Sequence, residues 1–200
     1  IPVDGRGLVD LKALENSITG ETILITVMHS NNEVGTIQPI GELAELIRGR
    51  GITLHTDAAQ SAGKVPVDVR SLGVDLLYLA RHKLYAPKGI GSLYIREGTR
   101  VEKFMHGAGH ERNLRAGTEN VLEIAGLGKA CELAARDLEK NMTRMRETRD
   151  RLFEGLRGRL DVRLNGHPEK RLPNTLSLGF RGVDAGILLG EMKEVAASAG

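Results

Sequence analysis

Apolar residues along the chain form short continuous runs that alternate with stripes at helical spacing. The run at residues 23–28 is unbroken and rich in β-branched side chains, which predicts a strand buried on both faces. Similar runs predict strands at residues 52–55, 74–79 and 91–95. Between the first two strands, residues 40–47 carry apolar side chains at helical spacing after a proline, so we expect a helix there.

The second half of the chain has a long helical pattern that begins at Val121 and continues to about residue 160. Its apolar stripe consists of Leu127, Ala130, Cys131, Ala134, Leu138, Met142, Met145, Leu152 and Leu156. Arginine and acidic side chains are interleaved over residues 144–159, which is typical of a solvated helix face. Residues 173–178 then predict a strand of a separate unit, and residues 10–17 predict a short helix near the start.

Strands that alternate with helices predict an α/β fold with a mostly parallel sheet. We expect a large domain at residues 1–138, followed by a connecting helix and part of a smaller α+β domain at residues 139–200. The chain begins Ile1-Pro2-Val3 without an initiator methionine and ends in a run of small residues. We therefore expect the chain to be the middle part of a longer protein, whose N-terminal part is missing here.

Composition excludes several classes of protein. Of the 200 residues, 40% are hydrophobic and 27% are charged, which is typical of a folded globular protein and not of a disordered one. The net charge of +2 gives no support for nucleic-acid binding by general electrostatics. No apolar run could span a bilayer and no secretory signal is visible. A single cysteine, Cys131, excludes internal disulfides and cysteine-rich zinc sites. We expect a cytoplasmic protein without nucleic-acid or membrane partners.

Polar residues cluster directly after the first three predicted strands, at residues 29–33, 55–60 and 81–85. Open α/β sheets bind ligands beyond the carboxyl ends of their strands, so the three clusters are expected to face one crevice. An aspartate in such a place is more often a helix cap than a functional acid. The coincidence of three clusters nevertheless favours a binding or catalytic site.

Several kinds of site fit these residues poorly. Residues 196–200 only half match the G-x-S-x-G pattern of serine hydrolases. His106 and His110 have the spacing of a metal pair on a helix, but the glycines between them disfavour a helix. Pyridoxal phosphate fits better, because it needs a lysine that forms a Schiff base, a carboxylate at the ring nitrogen, and donors for its phosphate. Lys83, Asp57 and His82 could supply these groups.

Four sequence blocks closely resemble the cysteine desulfurase and selenocysteine lyase family. They are NNEVG at residues 31–35, HTDAAQ at 55–60, HKLYAPKGIG at 82–91, and GHER with RAGTEN at 109–112 and 115–120. This family comprises class V, fold-type I pyridoxal phosphate enzymes. The resemblance extends over the whole chain but covers only the middle of a typical family member.

The resemblance implies a role for individual residues. Lys83 is implied as the Schiff-base lysine and acid/base, and Asp57 as the partner of the pyridinium nitrogen. Gln60 and Asn32 are implied as ligands of the phenolic oxygen of the ring, and His82 as a contact of the cofactor phosphate. These assignments agree with the interpretation of the strand ends.

The resemblance also implies a homodimer, because Thr118 corresponds to a residue that reaches the phosphate of the neighbouring subunit's cofactor. One departure is Ala80, where relatives often have a serine that binds the phosphate. A lost hydrogen bond to a charged group costs about 1.5–3 kcal/mol, so weaker cofactor retention is expected. Arg81 replaces a small residue, and we expect its charge to compensate in part.

The implied reaction is removal of sulfur from L-cysteine, which gives L-alanine and an enzyme persulfide that can pass sulfur to an acceptor protein, as in iron–sulfur cluster assembly. The family's nucleophilic cysteine lies in a loop that begins just after Ala199-Gly200, so the 200 residues alone are expected to be inactive. Cys131 is not that nucleophile, because it lies on an apolar helix stripe and is expected to be an inert packing residue.

Three alternatives remain open at the level of sequence. A selenocysteine lyase would use the same residues on selenocysteine. A catalytically incompetent fragment would only bind the cofactor or support dimerisation. Another class V aminotransferase would keep Lys83 and Asp57 but transfer the amino group to a keto acid.

Overall fold

The computed structural model describes residues 1–199; Gly200, at the edge of the expected nucleophile loop, lies outside the described residues. Its main sheet has four strands in the spatial order β1-β2-β3-β4. The strands are β1 Leu24–Met28, β2 Thr53–Asp57, β3 Leu76–Ala80 and β4 Gly91–Ile95. The first three strands are parallel and β4 is antiparallel to β3. The predicted α/β class with a mostly parallel sheet is therefore confirmed.

Three short helices follow from local signals in the first part of the chain. They are α1 Leu11–Ser17, α2 Ile40–Leu46 and α3 Val69–Leu72. The Asp10 side chain caps α1 by accepting hydrogen bonds from two backbone N–H groups, and the Asp68 side chain caps α3 by accepting one from Arg70 N. The apolar faces of these helices pack on one side of the sheet around the buried residues Leu14, Ile40, Leu43, Leu54, Val74 and Leu77.

Strand β1 differs from the prediction in its burial. The sequence predicts two buried faces, but Leu24, Thr26 and Met28 are exposed. Within the described residues, β1 lies at one edge of the sheet, and only its Ile25 and Val27 face packs against the core. A continuous apolar run identifies a strand without fixing its place in a sheet.

The long predicted helix is present, but it is divided in two. Helix α5 spans Val121–Arg136 and helix α6 spans Leu138–Arg157, with Asp137 between them outside helical geometry. Leu127 anchors α5 in a second, smaller core with Ala62 and Leu84. Most of α6 is exposed, as its mixed charges predict.

The C-terminal part contains a second, two-stranded sheet. It contains β5 Val162–Leu164, β6 Leu178–Phe180 and α7 Ala185–Glu191, and the two strands pair antiparallel. The predicted strand at residues 173–178 is wrong over most of its length. Pro173 has no N–H to donate, and Pro173 and Asn174 form a turn, so the strand begins only at Leu178.

Two further short elements complete the described structure. A turn of 3-10 helix, Arg81–Leu84, follows β3 directly, and a four-residue segment, α4 His110–Asn113, precedes α5. Glu111 and Arg112 within α4 have positive φ, so this segment is not a regular helix. Among residues 1–199, no helix combines the length and the apolar composition that crossing a bilayer requires.

Candidate active site

Asp57 is the last residue of β2, where the strand leaves the sheet. Its backbone is fixed on both sides, because its carbonyl accepts from His29 N at 2.8 Å and the next N–H, of Ala58, donates to Tyr78 O at 3.0 Å. The side-chain Oδ1 accepts from Ala59 N at 2.8 Å. No other described residue bonds to the carboxylate, so Oδ2 is available to a ligand. The side chain is half-buried.

Lys83 lies on the 3-10 turn immediately after β3. Strand β3 pairs with β2, the strand that carries Asp57. The turn is closed by Tyr85, whose N–H donates to Arg81 O and whose φ of 61° is in the left-handed region. His82 and Lys83 are both exposed on this turn. Within residues 1–199, Lys83 forms no ion pair with an acid, so no carboxylate holds its Nζ.

Gln60 lies in the turn after β2, and a buried lysine holds that turn. Lys64 Nζ donates to Gln60 O at 3.0 Å, although the Lys64 side chain is only 8% exposed. Burial, and then the charge of Lys83, lower the pKa of Lys64. Lys64 and Lys83 line the same cavity, so Lys64 lies between the Gln60 turn and the surroundings of Lys83. Sequence reasoning missed Lys64, because no pattern marks it as buried.

Asn32 lies in the loop after β1, which is fixed at two points. Ser30 Oγ and Ser61 Oγ share a buried hydrogen bond of 2.6 Å, which ties this loop to the turn that carries Gln60. On its other side the loop is bonded to residues 165–177. Leu172 N donates to Gly35 O at 2.8 Å, and the Asn32 side chain itself is exposed.

Thr118 lies apart from these residues. It is exposed in the segment between α4 and α5, and no hydrogen bond within residues 1–199 ties its side chain to the other predicted site residues. Its predicted role concerns the cofactor of a second subunit. Asn32, Asp57, Gln60, His82 and Lys83 thus lie at or after the carboxyl ends of three neighbouring parallel strands, and Thr118 lies in a different segment.

His29 is buried beside Asp57, at the end of β1. Burial lowers the pKa of His29, so that its imidazole favours the neutral form. Its Nδ1 has no hydrogen-bond partner among the described residues. The sequence placed His29 in a strand-end cluster without a role. In the structure it is buried, and its backbone N–H donates to Asp57 O at the end of β2.

A cavity of about 580 Å³ opens at Lys83. Its lining also includes Lys64, Tyr85 and an apolar wall on α5 with Ala130 and Ala134. Lys83 is the one predicted site residue that lines it, and the other predicted site residues do not. A smaller cavity of about 350 Å³, between α2 and α3, contains none of the predicted site residues. The described residues hold no group of three or more His, Cys, Asp or Glu side chains arranged to bind a metal ion.

These donors fit pyridoxal phosphate. A free carboxylate oxygen on Asp57 can accept a hydrogen bond from a protonated pyridine nitrogen, and a free amine on Lys83 can hold an aldehyde. The amide of Gln60 can donate to a phenolic oxygen. Ala80 is buried and supplies no hydroxyl at the phosphate end.

Arg81 and Cys131 both contact other parts of the protein through side chains that are partly or fully buried. The Arg81 guanidinium is fully buried and forms an ion pair with Glu123, so its charge is already partly balanced. Cys131 packs against the second core, and burial raises the pKa of its thiol. The prediction that Cys131 is a packing residue is confirmed.

Comparison with known proteins supports the resemblance. A relative named cysteine desulfurase IscS, from Klebsiella pneumoniae (strain 342), is 45% identical over 197 residues, which are 98% of this chain and 49% of that protein. Another of the same name, from Methanosarcina thermophila, is 47% identical over 189 residues, or 94% of this chain and 47% of that protein. The chain spans about half the length of the curated relatives it matches.

Solved structures of similar proteins have the same fold as this chain. A structure described as a NifS-like protein superposes with a TM-score of 0.91 at 38% identity, covering 96% of this chain and 53% of that one. DndA from Streptomyces lividans superposes with a TM-score of 0.83 at 35% identity, covering 93% and 53%. The predicted fold is therefore confirmed.

The family described as aminotransferase class-V matches residues 1–200. Its members depend on pyridoxal phosphate, which is the cofactor that the strand-end residues predicted. The chain belongs to the class-V aminotransferase family.

Proposed function

We propose that the full-length protein containing this chain is a cysteine desulfurase, which converts L-cysteine to L-alanine and a protein-bound persulfide. The observation that carries the proposal is the placement of Asp57 and Lys83 at the ends of two neighbouring strands. Asp57 has a carboxylate oxygen without a partner among the described residues, and Lys83 Nζ forms no ion pair there. The relatives named cysteine desulfurase IscS support this choice of substrate.

When bound, pyridoxal phosphate supplies an aldehyde that condenses with amines and a ring that accepts electron density from the substrate's α-carbon. Lys83 Nζ is proposed to hold it and, once freed by the substrate amine, to remove the proton from the α-carbon. Asp57 Oδ2 keeps the ring nitrogen protonated by accepting its N–H. Gln60 and Asn32 orient the ring through its phenolic oxygen.

The phosphate is proposed to bind His82 in the same subunit and Thr118 of a second copy. This second role requires a homodimer. Phe104 and Leu122 support it, because both are large apolar side chains exposed on either side of Thr118 in sequence. Burial of such a surface against a second copy would remove apolar area from water.

Sulfur transfer is proposed to use a cysteine thiolate that the described residues do not contain. The thiolate attacks the substrate sulfur, an S–S bond forms as the C–S bond breaks, and the carbon fragment leaves as alanine after protonation. The acceptor of the persulfide is proposed to be a second protein, and iron–sulfur cluster assembly is one use. We also propose a cytoplasmic location and the division into domains at residues 1–138 and 139–200.

The test uses the full-length protein loaded with pyridoxal phosphate and supplied with L-cysteine and dithiothreitol. We expect alanine and sulfide in equal amounts, because the dithiol reduces each persulfide to sulfide. Lys83→Ala should abolish both products, and Asp57→Asn should reduce both by at least about 100-fold, since the neutral amide no longer holds the ring nitrogen protonated. Lys88→Ala, on the same loop, is the matched control.

The alternatives give different results in the same assay. Alanine formation from selenocysteine but not from cysteine would indicate a selenocysteine lyase. Amino transfer to pyruvate or glyoxylate without sulfide would indicate an aminotransferase. Wild-type levels of both products from Lys83→Ala would refute the proposed role of Lys83.

A further inference from the structure

Arg81 stands out because its charged side chain is completely buried, at 0% exposure, on a turn whose next two residues are exposed. A guanidinium keeps its charge in proteins, and burying that charge is costly unless an acid compensates for it. The position therefore requires a partner. The mechanism proposed above does not use Arg81.

The partner is Glu123, in the first turn of α5. Its Oε2 forms an ion pair with Arg81 Nη1, and its side chain is 27% exposed. The backbone N–H of Glu123 donates to Asn120 Oδ1 at 3.4 Å, so the N-terminal cap of the helix holds the acid in place. The helix dipole also favours a carboxylate at this end. Glu123 is thus a fixed counter-charge.

Within residues 1–199, Arg81 Nε, Nη1 and Nη2 all lack a hydrogen-bond acceptor of good geometry, and Glu123 Oε2 lacks a donor, so the Arg81–Glu123 contact is an ion pair only. The following loop passes close by, since a Cβ built on Gly89 would lie 4.0 Å from Nη2. The ion pair with Glu123 is therefore the polar contact that fixes the Arg81 side chain.

The backbone of Arg81 closes the turn that carries Lys83. Its carbonyl oxygen accepts from Tyr85 N, and from Ala86 N at 3.3 Å. Leu84 of the same turn packs against Leu127 of α5. The turn is thus attached to α5 by one ion pair and one apolar contact, while its own hydrogen bonds converge on Arg81.

We propose that the Arg81–Glu123 ion pair is a positioning device, which locks the turn bearing Lys83 onto α5. In this arrangement Arg81 acts through Lys83 and is not a ligand of the cofactor phosphate. The expected effect on cofactor binding rests on the proposed role of Lys83. The attachment of the turn to α5 does not, because it is a property of the protein without cofactor.

The first measurement is therefore made on the cofactor-free, full-length protein. Hydrogen exchange of the Tyr85 and Ala86 amides reports whether the turn is closed. We expect Arg81→Met and Glu123→Gln each to speed this exchange by about tenfold or more, because Glu123→Gln leaves the buried guanidinium without its acid and Arg81→Met removes the ion pair between the turn and α5. The double variant should add little beyond either single change.

Two controls separate this effect from general destabilisation. Arg136→Met removes an ion pair from the other end of α5, where the arginine side chain is 64% exposed, and should leave the exchange of Tyr85 and Ala86 unchanged. Arg81→Lys keeps the charge and should restore much of the protection. Unchanged exchange in both Arg81→Met and Glu123→Gln would overturn the proposal, even if Lys83 proves to be the cofactor lysine.

The second measurement compares pyridoxal with pyridoxal phosphate in covalent capture by Lys83, followed through the visible absorbance. Positioning predicts that Arg81→Met and Glu123→Gln slow capture of both aldehydes by the same factor. A loss confined to pyridoxal phosphate and to Arg81→Met would instead show a phosphate ligand and overturn the proposal. If capture occurs at another lysine, the exchange data still test the ion pair and the proposed function alone fails.

Discussion

Lys64 Nζ donates a hydrogen bond to Gln60 O from an almost fully buried position, and this ammonium is repelled by Lys83. One buried cation therefore holds the turn that presents Gln60 and responds electrostatically to the lysine of the site. The burial of Lys64 makes the stability of the protein depend on pH in the alkaline range. Removal of the Lys64 charge should alter that dependence.

Lys64→Met should remove a pH dependence of the free energy of unfolding. Burial lowers the pKa of Lys64 in the folded protein, whereas the unfolded chain keeps its proton up to the usual value of 10.5. Between these two values the unfolded state binds more protons, so wild-type stability rises with pH. Urea denaturation from neutral pH to about 10 should show this rise relative to the variant. Lys129→Met, an exposed lysine at the same cavity, is the control, and parallel curves for wild type and Lys64→Met would contradict the assignment.

His29→Gln should remove a pH dependence of the free energy of unfolding in the acid range. Burial lowers the pKa of His29 below 6.5 in the folded protein, so the unfolded chain takes up the proton first as pH falls. Wild-type stability is therefore lost as pH falls from 6.5 towards the lowered value, and the variant should lack this slope. Thermal unfolding at a series of pH values measures it. The exposed His106, replaced in the same way, should leave the slope of the wild type intact.

Ala80→Ser should strengthen retention of the phosphorylated cofactor. It adds a hydroxyl donor at the end of β3, where a charge-assisted hydrogen bond contributes about 1.5–3 kcal/mol, or roughly tenfold or more in affinity. Equilibrium dialysis with pyridoxal phosphate measures the gain. Pyridoxal, which lacks the phosphate, should bind both proteins equally, and an equal gain for pyridoxal would show that the hydroxyl acts elsewhere.

Gly35→Ala should loosen the loop that carries Asn32. Gly35 has a φ of +78°, and a Cβ there would lie 2.9 Å from Thr175 Cβ, so both the backbone and the neighbouring segment oppose a side chain. We expect a loss of about 2–4 kcal/mol in the free energy of unfolding, measured with urea. Gly49→Ala is the matched control, because its φ is +74° with nothing within 4 Å, and its loss should be only about 1 kcal/mol. Equal losses would mean that the contact with Thr175 carries no cost.

Local signals predicted much of the fold and part of the site. The residues of β4 are those that the pattern indicated, and Asp10 caps α1 at the start of the predicted helix. The structure places Asp57 and Lys83 at the ends of two neighbouring parallel strands, as the pattern indicated, and their roles in a site stay a prediction. These successes depend on residues close together in sequence, or on a general rule of topology.

The features that the sequence did not reveal depend on distant contacts. Lys64 is buried because α5 and the Lys83 turn enclose it, and a lysine is ordinarily exposed. Glu123 is the counter-charge of Arg81 although nothing in either local pattern connects them. The edge position of β1 likewise depends on which strands lie beside it and not on its own residues.

The attachment of residues 165–177 to the loop after β1 has a consequence for the order of folding. His167 N donates to Thr36 Oγ1 across 131 positions of the chain, so this bond can close only after the intervening sheet and both long helices have been synthesised. Contacts between residues so far apart in sequence form slowly. The chain must first lose the conformational entropy of the large loop between them, and the contact forms only afterwards. We therefore expect the loop with Asn32 to reach its final conformation only after the elements between Thr36 and His167 have formed.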